Sequence, residues 1–145
     1  MSILNASPLS EEIDAVRSDG GLVHIRPVRE DDRAGLTQLF DRSSRRSLYL
    51  RFFSLGRDVA AHHVDRVLRA DGGAHRAVLA SVAGEVVGLA EYERRDVDSA
   101  EIAFLVGDDR HGQGIGTLLV EHLAGLARRE GIARFEADVL AENAA

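Results

Sequence analysis

Three glycines alternate with larger residues in Arg110-His111-Gly112-Gln113-Gly114-Ile115-Gly116-Thr117, and this octapeptide joins a strand-like run to a helix-like one. No other segment restricts the chain as much. Glycine at alternate positions removes side chains where a backbone must turn sharply or come close to something else. The first amides of the following helix have no intrahelical acceptor, and the helix dipole is positive at that end. A phosphate or pyrophosphate therefore fits the mouth of the helix without a metal. A tight turn that packs helix on strand uses the same residues, so the spacing leaves both readings open.

The flanking pattern limits the architecture. Ala77–Val82, Glu85–Tyr92 and Ala100–Val106 read as three consecutive strands, joined by Ala83-Gly84 and by Arg95-Asp96-Val97-Asp98-Ser99, which predicts an antiparallel meander. After the glycine loop, Ile115, Leu118, Leu119, Leu123, Leu126 and Ala127 recur at helical spacing, giving a helix from about Gly114 to Glu130. Arg128 and Arg129 suit its C-terminal dipole, and Gly131 suits a left-handed stop. Ile132–Leu140 returns as a strand, parallel to the one ending at Val106, with the helix as crossover. The expectation is an α/β chain with a mixed sheet: a meander, then a parallel β-α-β unit, with helices on both faces.

Upstream, Leu22–Arg26 alternates like a strand and stops at Pro27. Asp31 or Asp32 then caps a helix bearing Leu36, Leu39 and Phe40. A second helix is expected over Asp58–Ala70, with Val59, His63, Val67 and Ala70 near one face, and Asp71-Gly72-Gly73 breaks it. Leu48-Tyr49-Leu50-Arg51-Phe52-Phe53 reads as a core plug between the two helices. Ser7-Pro8-Leu9-Ser10-Glu11-Glu12 reads as the start of a short capped helix reaching Arg17, ended by Ser18-Asp19-Gly20-Gly21. Residues 1–20 are accordingly taken as an extension and 21–145 as the domain.

Composition closes off several chemistries. A chain of 145 residues without cysteine has no disulfide, thiolate zinc site or cysteine nucleophile, and is long enough to bury a core without them. All 18 basic side chains are arginine, so a Walker loop and a Schiff-base lysine are both excluded. The net charge of −6 opposes general nucleic-acid affinity. Neither a leader nor a membrane span is indicated, so a cytoplasmic location is expected. The six histidines lack ligand spacing, and His122 reads as a packed or boundary residue. A dinucleotide fold finds acidic residues at the right distance in Glu136 and Asp138, but its loop belongs after the first strand of a parallel repeat.

The loop aligns, as His111-Gly112-Gln113-Gly114-Ile115-Gly116, with the Gln/Arg-x-x-Gly-x-Gly/Ala pattern of the GNAT acyltransferases, with histidine in the first place. From about Val23 to Asn143 the chain resembles that superfamily, and within it the GNAT domains of bacterial protein lysine acetyltransferases. Three segments carry the closer likeness: Ile25-Arg26-Pro27-Val28 with Asp31-Asp32, Ser47–Phe53, and Ala100–Val106 with Asp108-Asp109.

The resemblance implies transfer of an acetyl or short acyl group from acyl-CoA to a primary amine, protein lysine among the candidates. A non-catalytic module that binds CoA thioesters is the alternative. Backbone groups at Leu105 and Val106 would hold the pantetheine arm. Loop amides at Gly112, Gln113, Gly114, Ile115, Gly116 and Thr117 would take the pyrophosphate, the His111 side chain would hold the loop or touch phosphate, and Asn143 would contact CoA. Glu101 would be the general base, since an amine must lose a proton to attack a thioester. Glu91 and Glu93 are lesser candidates for that role. Tyr92 is discounted as a proton donor, because the family's tyrosine lies beyond the segment where this chain stops. No metal is implied. The family continues past the Ile132–Leu140 strand with another helix and two strands, so the domain is expected to be incomplete at its C-terminus. Its uncovered strand edge favours a second copy or a completing partner chain.

Overall fold

The computed structural model describes residues 11–42, 64–70, 73–107, 110 and 112–136. Six strands form one sheet in chain order: β1 (Ile13–Val16), β2 (Leu22–Pro27), β3 (His75–Val82), β4 (Glu85–Arg94), β5 (Ser99–Val106) and β6 (Arg134–Glu136). The first five pair antiparallel, and β6 runs parallel to β5. Helix α1 (Arg33–Arg42) follows β2, and helix α2 (Ile115–Arg129) makes the β5–β6 crossover. The meander, the crossover and the periodic helix thus stand where the sequence places them. Ser47–Phe53, residues 58–63 of the second helix and residues 137–140 of the last strand lie outside the described residues, whereas residues 64–68 are helical.

The sheet buries both faces, and alternation decides which side chain goes where. Val23, Ile25, Val78, Ala80, Ala90, Tyr92 and Ile102 meet the α2 stripe of Ile115, Leu119, Leu123, Leu126 and Ala127. On the other face Ala77, Leu79, Val86, Leu89 and Leu105 pack with Leu36, Leu39 and Phe40 of α1 and with Val64 and Val67. The β3–β4 register moves from Ala80↔Gly88 to Ser81↔Val86, which leaves Val87 as an extra residue in a bulge. Arg42 Nη2 donates to the Val86 carbonyl at 2.6 Å and holds this irregular backbone from the side of α1.

Two expectations are corrected near the N-terminus. Ile13–Val16, assigned above to a helix, is an edge strand; the Ser7–Ser10 part of that helix lies outside the described residues. Ser18-Asp19-Gly20, read as a helix stop, is a hairpin loop. The Arg17 N–H donates to the Gly21 carbonyl at 2.7 Å, and Gly20 takes φ +91°. Asp-Gly before a positive-φ position is the chemistry of a three-residue hairpin, and the preceding Ser-Pro and Glu-Glu pairs concealed it.

Asp32 also differs from its expected role. It closes a 3-10 turn (Glu30–Asp32) ahead of α1, and its carboxylate accepts the Arg29 N–H at 2.6 Å and two bonds from Arg26, at 2.9 and 2.6 Å. Burial pushes this carboxyl upward. The Arg26 and Arg29 hydrogen bonds and the nearby guanidinium charges outweigh it and hold Asp32 below the ordinary carboxylate value. A lowered native value adds stability above the unfolded-state pKa of about 3.9, and that contribution fades as pH falls through the native value. Asp32→Ala should cost about 3 kcal/mol in urea denaturation at pH 7, because Arg26 is left buried without its anion. The difference between variant and wild type should shrink on acidification.

His24 clamps the new edge strand. Its ring nitrogens meet Asp14 Oδ1 at 2.7 Å and Glu12 Oε2 at 2.5 Å. The Asp14 bond raises its pKa most, the Glu12 bond next, and burial opposes them weakly. The protonated clamp is complete below the ordinary histidine value near 6.5 and is lost as pH rises through the raised value. Hydrogen exchange at Ile13–Val16, corrected for intrinsic rates, should therefore speed up across that window. His24→Ala should abolish the pH dependence.

Candidate active site

Strand β5 leads through a turn into the glycine loop, with the Arg110 N–H donating to the Gly107 carbonyl at 2.9 Å. Gly112 and Gly114 both have left-handed φ, +85° and +78°, which a residue with a Cβ adopts only at a cost of about 1 kcal/mol or more. Gly114 is the N-cap of α2, and no side chain caps the helix. The first i→i−4 bond runs from the Leu118 N–H to the Gly114 carbonyl, so the amides of Ile115, Gly116 and Thr117 precede the helical ladder. No acidic residue stands in the first turn. An anion fits such an end in both hydrogen bonding and field.

Close packing accounts for the third glycine. A Cβ at Gly116 would lie 3.4 Å from the Phe104 ring and 3.6 Å from Val106 Cγ2. Leu105 is buried against the α1 cluster, and Val106 packs against the α2 cluster. Both remain in the ladder with β4, as Leu89↔Leu105 and Gly88↔Val106. The β5–β6 pairing, among the described residues, covers Ser99–Glu101. His111 and Asn143 lie outside the described residues.

Glu101 stands on the face of β5 that carries Leu105, as alternation predicts, and its carboxylate is bound by Arg95. Glu93 lies directly across the ladder from Glu101 and is bound by Arg66. Two facing carboxylates repel, and the two guanidiniums offset that repulsion. Glu91 differs from both. It is buried, and its Oε1 lies 2.8 Å from His75 Nε2. Tyr92 is fully buried in the opposite, α2-side core, with its ring 5.8 Å from Phe135. His122 is buried on α2, and its Nε2 donates to the Glu11 carbonyl at 3.1 Å, so it packs as expected. No cluster of histidine and acidic side chains that could hold a metal occurs among the described residues.

Sequence reasoning missed the contact between the β1–β2 hairpin and the glycine loop. The Ser18 N–H donates to the Gln113 carbonyl at 2.9 Å, the Ser18 hydroxyl donates to the Gly112 carbonyl at 3.2 Å, and Arg17 Nη1 donates to Gln113 Oε1 at 3.3 Å. The Asp-Gly pair at 19–20 was the one local signal of that hairpin, and nothing local signals where its tip docks.

A mixed sheet with helices on both faces, a bulged central strand and a glycine loop opening a crossover helix are the architecture of the GNAT fold. Residues 36–145 match the acetyltransferase (GNAT) family, and the chain belongs to it. The chain is 32% identical over 118 residues to the acetyltransferase PA5475 of Pseudomonas aeruginosa, covering 78% of this chain and 63% of that protein. It is 42% identical over 64 residues to the acetyltransferase Pat of Mycolicibacterium smegmatis, covering 43% of this chain and 19% of that one. The crystal structure of the GNAT domain of Streptomyces lividans PAT superposes with a TM-score of 0.88 at 35% identity, covering 94% of this chain and 83% of that one. The chain thus spans less than two thirds of the length of each of these two relatives.

Proposed function

We propose that this chain binds acetyl-CoA, or a related short acyl-CoA, and transfers the acyl group to a primary amine, a protein lysine being the acceptor favoured by the resemblance of its Ile25–Val28, Ser47–Phe53 and Ala100–Val106 segments to bacterial protein lysine acetyltransferases. One observation carries the reading: the strand that bears Glu101 is followed, after residues 107–114, by a helix N-terminus that is lined by glycine and lacks a side-chain cap. A carboxylate and an anion cradle therefore stand on consecutive elements. In this reading the amides from Gly112 to Thr117 take the pyrophosphate, and the backbone at Leu105 and Val106 takes the pantetheine arm. His111 and Asn143 complete the contacts to CoA. No helix among the described residues is long and apolar enough to cross a membrane. The proposed location is the cytoplasm.

Acyl-CoA supplies the activated thioester carbonyl; the chain supplies position and a proton acceptor. An alkylamine is almost wholly protonated at neutral pH and must lose a proton before it can attack. Glu101 already binds a cationic group, the Arg95 guanidinium, at a half-exposed site. Such an exposed ion pair is worth at most about 1 kcal/mol, so an ammonium can replace the guanidinium at small cost. Glu101 then accepts the ammonium's proton, directly or through water; the neutral amine attacks the thioester carbonyl, the C–S bond breaks as the amide forms, and the second N–H proton goes to the departing thiolate.

Two substitutions test the two halves. Glu101→Gln should lower turnover by roughly 10²–10⁴-fold and leave CoA affinity almost unchanged. Wild-type turnover in that variant would remove Glu101 from the mechanism. Gly114→Glu puts a carboxylate into the cradle at a left-handed position, and calorimetric titration with CoA should then show no binding. A wild-type chain that binds neither CoA nor acetyl-CoA would overturn the proposal as a whole.

A further inference from the structure

We infer that Ser18, at the tip of the β1–β2 hairpin, is a positioning residue for acyl-CoA, acting by fixing the peptide planes of the glycine loop. The inference rests on the loop taking the pyrophosphate, as proposed above. Inside the hairpin, the Arg17 N–H donates to Gly21 and the Gly20 N–H to the Arg17 carbonyl, at 2.7 and 2.9 Å. The Ser18 N–H takes no part in that turn. It donates instead to the Gln113 carbonyl at 2.9 Å, while the Ser18 hydroxyl donates to the Gly112 carbonyl at 3.2 Å.

Peptide planarity converts those bonds into loop geometry. No peptide among the described residues is cis, so each carbonyl points opposite to the N–H of the next residue. With the Gly112 and Gln113 carbonyls held toward the hairpin, the N–H groups of Gln113 and Gly114 face away from it. A carbonyl turned toward a phosphate would repel it, whereas an amide attracts it. Ser18 therefore aims two donors and removes two acceptors of the wrong polarity. Arg17 reinforces the arrangement by donating to Gln113 Oε1 at 3.3 Å. The guanidinium lies over Gly21, where a Cβ would fall 1.9 Å from Nη2, so a side chain at that position would push the Arg17 tip aside.

The decisive variant is Ser18→Pro. Proline suits the first position of a type I turn, and here it deletes both Ser18 donors without removing a hydrogen bond of the hairpin. Calorimetric titration with CoA should show affinity weaker by up to about tenfold for Ser18→Pro, the cost of orienting on binding two peptides that the wild type already holds in place. Ser18→Ala, which loses one donor, should fall by about threefold, and Ser18→Thr should match wild type. Melting temperatures of the ligand-free proteins should fall by no more than about 6 °C, since proline's stiffer unfolded chain partly offsets the lost bonds, and in turnover KM for acetyl-CoA should rise with kcat unchanged. Wild-type affinity in Ser18→Pro would overturn the assignment while leaving CoA binding intact. A collapsed melting temperature in Ser18→Pro, with Ser18→Ala binding CoA as wild type does, would overturn it too. Absence of CoA binding by the wild-type chain would instead remove the reading of the loop, and this inference with it.

Discussion

Helix α2 and strand β4 approach so closely that a Cβ at position 88 would lie 2.9 Å from Leu119 Cδ1 and 3.4 Å from Ile115 Cγ2. The rest of the site depends on that contact. Ile115 is the first residue of the helix, so seating it on Gly88 sets its N-terminus beside the end of β5, where Val106 pairs with Gly88. The chain must then reverse within a short loop between Val106 and Ile115, and it does so with left-handed backbone at Gly112 and Gly114. The bulge at Val87 belongs to the same constraint. It twists β4 where the helix seats, and the Gly107 N–H closes the turn by donating to the Val87 carbonyl at 2.9 Å.

Elements whose pattern repeats over many residues were legible in the sequence. The meander strands and α2 each bury a face long enough to impose period two or 3.6 on their apolar residues, and their positions follow from that alone. The glycine loop was legible for a different reason, since only glycine tolerates the φ values it needs. Strand β1 was not legible. Four residues, Ile13-Asp14-Ala15-Val16, alternate too briefly to separate a strand from a helix turn, and the acidic pair before them imitates a helix start. Asp32 was assigned to the right turn and the wrong bond, because its partner Arg26 lies across a fold of the chain rather than along a helix.

The contact of Ser18 with the glycine loop was invisible for a stronger reason. It joins residues 94 positions apart through carbonyls that every residue possesses, so no choice of side chain at Gly112 or Gln113 encodes it. What the sequence does encode is the ability to make it. Gly20 and Gly21 let the hairpin tip close tightly with the Arg17 side chain folded over it, and Ser18 lies so near the loop that a Cβ at Gly114 would stand 3.8 Å from it. Main-chain docking of this kind is typically read only once the topology has brought the two turns together.

Burial separates the three carboxylates on the α1 face of β4 and β5. All stand beside a basic group, yet Glu91 is enclosed at 3% exposure with a partner, His75, that is itself largely covered. A proton acceptor must be reached by the acceptor amine or by water, and a carboxylate enclosed in this way is suited to holding strands together rather than to exchanging protons. Glu93 and Glu101 keep 39% and 34% of their side chains exposed, with half-exposed guanidiniums as partners. They differ in the strand that carries them. Glu101 is on β5, the strand that enters the glycine loop, so the backbone that would hold the thioester and the carboxylate that would take the proton move as one rigid unit. Glu93 is tied to that strand only through the ladder. The covalent path from Glu101 to the loop is what favours it as the base.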